Sequence, residues 1–117
     1  MTKKVYHLST CNTCKRILNE LEIGSDFERQ DIKKQPLTEA QLADLYRRTD
    51  SYEELFNRRS QEYRKRNLAE RDLTETDYRD LLLDHYSFLK RPVILMGERT
   101  YVGNAKRTVA AAAKAMA

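Results

Sequence analysis

The sequence predicts an α/β fold: a mixed β-sheet flanked by helices, with a helical insertion between the second and third strands. Three observations predict it. Runs of strand character lie at residues 3–9 and 27–32, and again at 93–95 and 100–102. The stretch between these two groups, about 38–86, carries helix caps and helical spacing. The only two cysteines, Cys11 and Cys14, stand three apart where the first extended run gives way to helical spacing.

Each element follows from its residues. Lys3 to Ser9 is a strand in which Tyr6 and Leu8 alternate with Val5 and His7, with both faces available for burial. Thr10 to Cys14 is the turn into a first helix running to about Glu22, because Cys14, Ile17, Leu18 and Leu21 share one helical face. Gly24 is expected to end it as a C-terminal cap. Phe27 to Ile32 is the second strand, and Pro36 breaks the chain after it. Thr38-Glu39-Ala40-Gln41 is a capping box opening a helix with Leu42, Leu45 and Tyr46 on one face. Tyr52 to Phe56 is a short helical piece, and the basic stretch Arg58 to Leu68 reads as a helix or an irregular lid. Thr74 caps a helix in which Tyr78, Leu81, Leu82 and His85 share a face, placing His85 on the core side. Val93-Ile94-Leu95 is a buried strand, and Gly97-Glu98 turns it into Thr100-Tyr101-Val102. Ala105 to Ala117 is the final helix. A right-handed crossover makes the first two strands parallel, and the closing hairpin adds antiparallel strands to the same sheet. That strand economy is thioredoxin-like.

At 117 residues the chain is expected to form a single domain, 1–117, able to bury a core without disulfide staples. With 3 glycines and 2 prolines, long flexible linkers are not expected. Lys and Arg number 22 against 18 Asp and Glu, a formal +4 that lacks the dense stripe of a nucleic-acid domain. No uncharged apolar stretch approaches a membrane span, and the N-terminus lacks the apolar core of a signal peptide. A cytoplasmic location is the default expectation, and there a CxxC pair is redox-active or metal-binding more often than a staple. The spacing of His7, Cys11, Cys14 and His85 does not follow zinc-finger patterns, so no metal is expected. A thiol at the start of a helix meets unpaired backbone N–H groups and the positive dipole end, which favour the thiolate. Cys11 is then the attacking sulfur. Cys14, one turn into the helix, either resolves the product as a disulfide or simply packs.

Three separated segments agree on a family. Tyr6-His7-Leu8-Ser9-Thr10-Cys11-Asn12-Thr13-Cys14-Lys15 is the first, and Leu55-Phe56-Asn57-Arg58-Arg59-Ser60-Gln61-Glu62-Tyr63 the second. Leu89-Lys90-Arg91-Pro92-Val93-Ile94, followed by Tyr101-Val102-Gly103, is the third. Over essentially its whole length the chain resembles the arsenate reductase (ArsC)-like family, which includes the Spx redox regulators.

The resemblance implies a thioredoxin-like domain with a helical insertion. It assigns Cys11 as nucleophile, Arg91 and Arg59 as its catalytic companions, and a cis Pro92 beside Arg91, and the CxxC spacing adds Cys14 as the resolving thiol. His7, Thr10, Asn12, Thr13, Asn57, Arg58 and Pro92 are the expected substrate contacts. The implied reaction is thiol-dependent reduction of a small oxyanion or an oxidised thiol. No cofactor is bound in that scheme, and glutathione, glutaredoxin or thioredoxin supplies electrons. The sequence departs from the arsenate reductases at Asn57 and Val102, where those enzymes carry oxyanion arginines, and at Cys14, where they carry serine. A second thiol is similar to the Spx branch, which makes the alternative a redox-sensing regulator that binds an RNA polymerase subunit through a CxxC switch. Ser51 stands where that branch has its contact glycine.

Overall fold

The computed structural model describes residues 2–117. The elements run β1 (Lys3–His7), α1 (Asn12–Glu20), β2 (Glu28–Asp31), α2 (Glu39–Thr49), α3 (Tyr52–Leu55), α4 (Gln61–Lys65), α5 (Glu75–Asp84), β3 (Val93–Met96), β4 (Arg99–Val102) and α6 (Lys106–Met116), with short 3-10 turns at Leu68–Glu70 and Tyr86–Phe88. They divide into two compact units, Met1–Gln35 with Arg91–Ala117, and Pro36–Lys90. Among the described residues no helix is long and apolar enough to cross a membrane.

The first unit is built on a sheet of order β2-β1-β3-β4. β1 pairs β2 in parallel, with His7 opposite Asp31, and pairs β3 antiparallel, with Val5 opposite Ile94. β3 and β4 form the expected hairpin, in which Gly97 takes φ 61 at the first central position of a two-residue turn. β3 is buried along its whole length, as the run Val93-Ile94-Leu95 requires of a strand packed on both faces. Val5, Ile94 and Met96 form one core with Ile17, Leu18 and Leu21 of the α1 segment, Ile23, Phe27 and Ala112. Tyr101, Val109, Ala115 and Met116 pack against it, so the alanines of α6 bring that helix close to the sheet.

The end of α1 differs from expectation. Gly24 is not the cap. Glu22 takes the left-handed position, φ 54. The N–H of Ile23 bonds to the carbonyl of Leu18 and that of Glu22 to the carbonyl of Asn19, both at 3.0 Å. This is a Schellman motif, and the apolar contact that accompanies it is between Ile23 and Leu18, both in the core. Burial of Ile23 outweighs the cost of a non-glycine residue in that conformation. The first two strands are shorter than predicted, while β3 and β4 each gain one residue. β1 stops at His7 and β2 at Asp31, where the chain leaves the ladder for the loops.

The second unit is helical, as the caps indicate. Thr38 and Thr74 both form complete capping boxes, with Gln41 and Asp77 as the reciprocal partners. Phe56 lies at the centre, stacked on Phe88 at 5.1 Å between ring centroids and tilted against Tyr78 at 4.8 Å. The basic run Arg58 to Leu68 yields only the five-residue α4 and a 3-10 turn. His85 is not on the core face of α5: it is the residue that ends the helix, partly exposed, and its Nδ1 accepts the N–H of Ser87.

Ile17→Ala should lower unfolding free energy by about 2–5 kcal/mol, since Ile17 is fully buried in the α1–sheet core. Thr38→Ala should cost about 1 kcal/mol through loss of its cap. Urea melts of the two variants read both values.

Candidate active site

The helix start creates the site. Cys11 is the N-cap of α1, with extended backbone at φ −91 and ψ 113. Its N–H donates to the carbonyl of Leu8 at 3.0 Å, and its own carbonyl takes the first helical bond from Lys15 at 3.1 Å. The helix therefore begins at Asn12, within the stretch predicted as a turn, and Cys14 already lies inside its first turn. No acidic side chain stands in that turn, so nothing offsets the positive end of the helix dipole beside the sulfur. Ile17 and Leu18 bury the helix face that fixes this direction.

The two thiols are unequal. Cys11 is partly exposed and Cys14 is wholly buried, and both are free thiols. Burial opposes ionisation of Cys11, but the backbone N–H and the thiol of Cys14, the charge of Arg91 and the backbone of Thr13 together outweigh it. The thiol of Cys11 is thereby held below its ordinary value, although its side chain closes no conventional cap hydrogen bond. Cys14 moves the other way, to about 11: burial is the main cause, the neighbouring Cys11 adds to it, and the backbone of Leu8 and the charge of Arg91 only partly oppose it. One sulfur is thus biased toward the thiolate, and its neighbour toward the protonated thiol.

Arg91 and Pro92 come to this site from the second segment of the unit. Arg91 is half-buried with its Nε wholly so, and its charge acts on both sulfurs. The Arg91–Pro92 peptide bond is cis, as the resemblance implies, and the Pro92 carbonyl accepts the N–H of Gly103 at 2.9 Å. Thr10 and Asn12 are exposed on either side of Cys11, and Thr13 contributes its backbone. His7 closes β1 opposite Asp31. Burial lowers its pKa, Asp31 opposes this and Arg29 assists it, which favours the neutral imidazole.

The remaining candidates belong to the second unit. Asn57 is committed to its own loop: its side-chain amide donates to the carbonyl of Ser87 at 3.3 Å and its Oδ1 accepts the N–H of Arg59 at 3.0 Å. Arg58 pairs with Glu53 and donates to the Tyr78 hydroxyl at 2.8 Å, lying over the same ring. Arg59 is exposed, and among the described contacts its guanidinium is in no ion pair, which leaves it available to an anion. Among the described residues no three His, Cys, Asp or Glu side chains gather into a metal-binding group.

Sequence reasoning passed over Ser9 and Asp31. Ser9 donates its hydroxyl to Asp31 Oδ2 at 2.5 Å, tying the loop before Cys11 to the end of β2. Only the parallel register of β1 and β2 brings them together.

The chain is similar to known proteins. The chain is 28% identical to the global transcriptional regulator Spx of Bacillus subtilis over 103 residues, covering 85% of this chain and 77% of that one. It is 29% identical to the uncharacterised protein YfgD of Escherichia coli over 108 residues, 88% of this chain and 91% of that one. Its fold superposes with a TM-score of 0.72 on an arsenate reductase (ArsC)-related protein from Brucella melitensis, at 27% identity, over 95% of this chain and 93% of the other. The ArsC family model matches residues 6–112. With its four-stranded mixed sheet and a cysteine at the first strand-to-helix junction, the chain belongs to the ArsC family, a thioredoxin-like family of thiol-based redox proteins.

Proposed function

We propose that this protein is a thiol–disulfide oxidoreductase in which Cys11 attacks an oxidised thiol substrate and Cys14 resolves the adduct. One observation carries the reading: the exposed sulfur at the start of α1 is the one biased toward thiolate, while the buried sulfur a helical turn away stays protonated. A substrate reaches Cys11 and not Cys14. The Cys11 thiolate attacks one sulfur of the substrate disulfide, forms a mixed disulfide, and expels the other half as a thiolate that takes up a solvent proton. Cys14 then releases its proton and attacks the Cys11 sulfur. The Cys11–Cys14 disulfide closes and the second substrate thiolate leaves. The substrate has gained two electrons. Two glutathione molecules in turn, or one dithiol of the glutaredoxin or thioredoxin class, restore both thiols, the first attack falling on the accessible Cys11 sulfur and the donor leaving as its disulfide. Arg91 holds negative charge next to the reacting sulfur throughout.

The second reading is a redox switch, favoured by the likeness to the Spx regulator. The same disulfide would then control binding to an RNA polymerase subunit rather than turn over. Capture of polymerase subunits by the oxidised chain alone, with no turnover of a small disulfide, would select it.

Cys11→Ser should abolish the chain's acceleration of glutathione disulfide reduction by a thioredoxin-class dithiol, measured above the uncatalysed rate, and surviving acceleration would overturn the mechanism. Cys14→Ser should accumulate a Cys11–glutathione adduct visible by intact mass, with turnover down about tenfold or more. Alkylation by iodoacetamide should rise with pH at a midpoint below that of free cysteine, because the folded chain favours the thiolate. Arg91→Ala removes a positive charge that supports the thiolate, so its midpoint should move up and its rate at pH 7 should fall.

A further inference from the structure

The loop carrying Cys11 is fastened outside the thiol pair. Asp31 closes β2 opposite His7. Its Oδ2 accepts the Ser9 hydroxyl at 2.5 Å and its Oδ1 accepts the N–H of Lys33 at 3.1 Å. The Ser9 hydroxyl is the main cause that holds this carboxyl below the usual carboxylate range. Burial opposes it, and the backbone N–H groups of Lys33 and Ser9 and the nearby His7 add to it. At neutral pH Asp31 is therefore an anion that grips Ser9. The residue before Ser9 is Leu8, whose carbonyl receives the Cys11 N–H and whose backbone bonds the Cys14 sulfur. Two residues of loop thus link one carboxylate to both thiols.

We propose that Asp31, acting through Ser9, is a positioning residue for the thiol pair: it sets the Leu8–Cys11 loop so that the Cys11 sulfur sits over the first turn of α1 and within reach of Cys14. The proposal rests on Cys11 being the reacting thiol. Its direction runs against simple electrostatics. A carboxylate near a thiol disfavours the thiolate, so removing Asp31 for its charge alone would make Cys11 more reactive. Removing it as a fastener makes Cys11 less reactive.

The test is the pH profile of iodoacetamide alkylation at Cys11 in the reduced full chain, located by mass spectrometry. Wild type, Ser9→Ala, Ser9→Thr, Asp31→Ala and the Ser9→Ala/Asp31→Ala double variant are compared, with a thermal melt of each. The expected result is an upward shift of the profile in both alanine variants, with alkylation at pH 7 down about tenfold. The double variant should lose no more than either single one, since both remove the same contact. Ser9→Thr keeps the hydroxyl and should retain the wild-type profile. A lower melting temperature with an unchanged profile would overturn the proposal by showing a merely structural role. Faster alkylation of Asp31→Ala would overturn it by showing that charge outweighs position. If Asp31→Ala does not fold, the contrast between Ser9→Ala and Ser9→Thr decides. A wild-type Cys11 no more reactive than free cysteine would overturn the oxidoreductase reading itself. A reactive wild type with overlaid variant profiles would overturn the positioning role alone.

Discussion

Everything at the site depends on where α1 begins. Ile17, Leu18 and Leu21 are locked into a core with Val5 and Ile94 of the sheet, so the helix cannot slide or rotate without exposing them. The other end is secured by the Glu22–Ile23 reversal, which returns the chain into the same core. With both determinants in place, the first turn has a single position, and Cys11 caps it. The chemistry of the sulfur is therefore set by apolar packing some distance from it. A helix start offers a fixed partial positive charge without spending a second lysine or arginine at the site.

The inequality of the two cysteines follows from the same geometry. They are separated by one helical turn, yet that turn carries the chain from partial exposure into complete burial. Water stabilises a charge on one sulfur and is excluded from the other. Arg91 favours ionisation of both, but its influence is a minor cause at Cys14, where burial dominates. Proximity couples them: the Cys14 thiol helps to stabilise the Cys11 thiolate, and the Cys11 charge in turn discourages ionisation of Cys14. That inequality is what the proposed order of reaction requires, attack from the surface and resolution from within.

Much of this fold was legible in the residues. Alternation around Val5, the unbroken apolar run at Val93 and the Gly97 turn located the sheet, and the capping boxes at Thr38 and Thr74 located two helices. The cysteine spacing located the thiol site. Three features were not legible, each for a physical reason. The α1 stop fell to Glu22 rather than Gly24, because the decisive gain is burial of Ile23, a tertiary contact. His85 left the core face because α5 ends one residue earlier than its periodicity suggests. The Ser9–Asp31 contact joins residues from separate strands, and only the register supplies it. Arg58 shows how little residue type says of partners: its pairing with Glu53 and Tyr78 is a contact of the folded chain.

The first unit is discontinuous, and this has a consequence for the order in which the protein comes into being. Cys11 lies in the first segment and Arg91 in the second, with all of residues 36–90 made between them. On a ribosome, β1 and α1 emerge long before β3 can take its place beside β1. Until that pairing closes, the young chain lacks both the Ile94 contact that helps to seat α1 and the Arg91 charge, one of the groups that favour the thiolate. The surroundings that lower the pKa of Cys11 are therefore complete only after the second segment has been made.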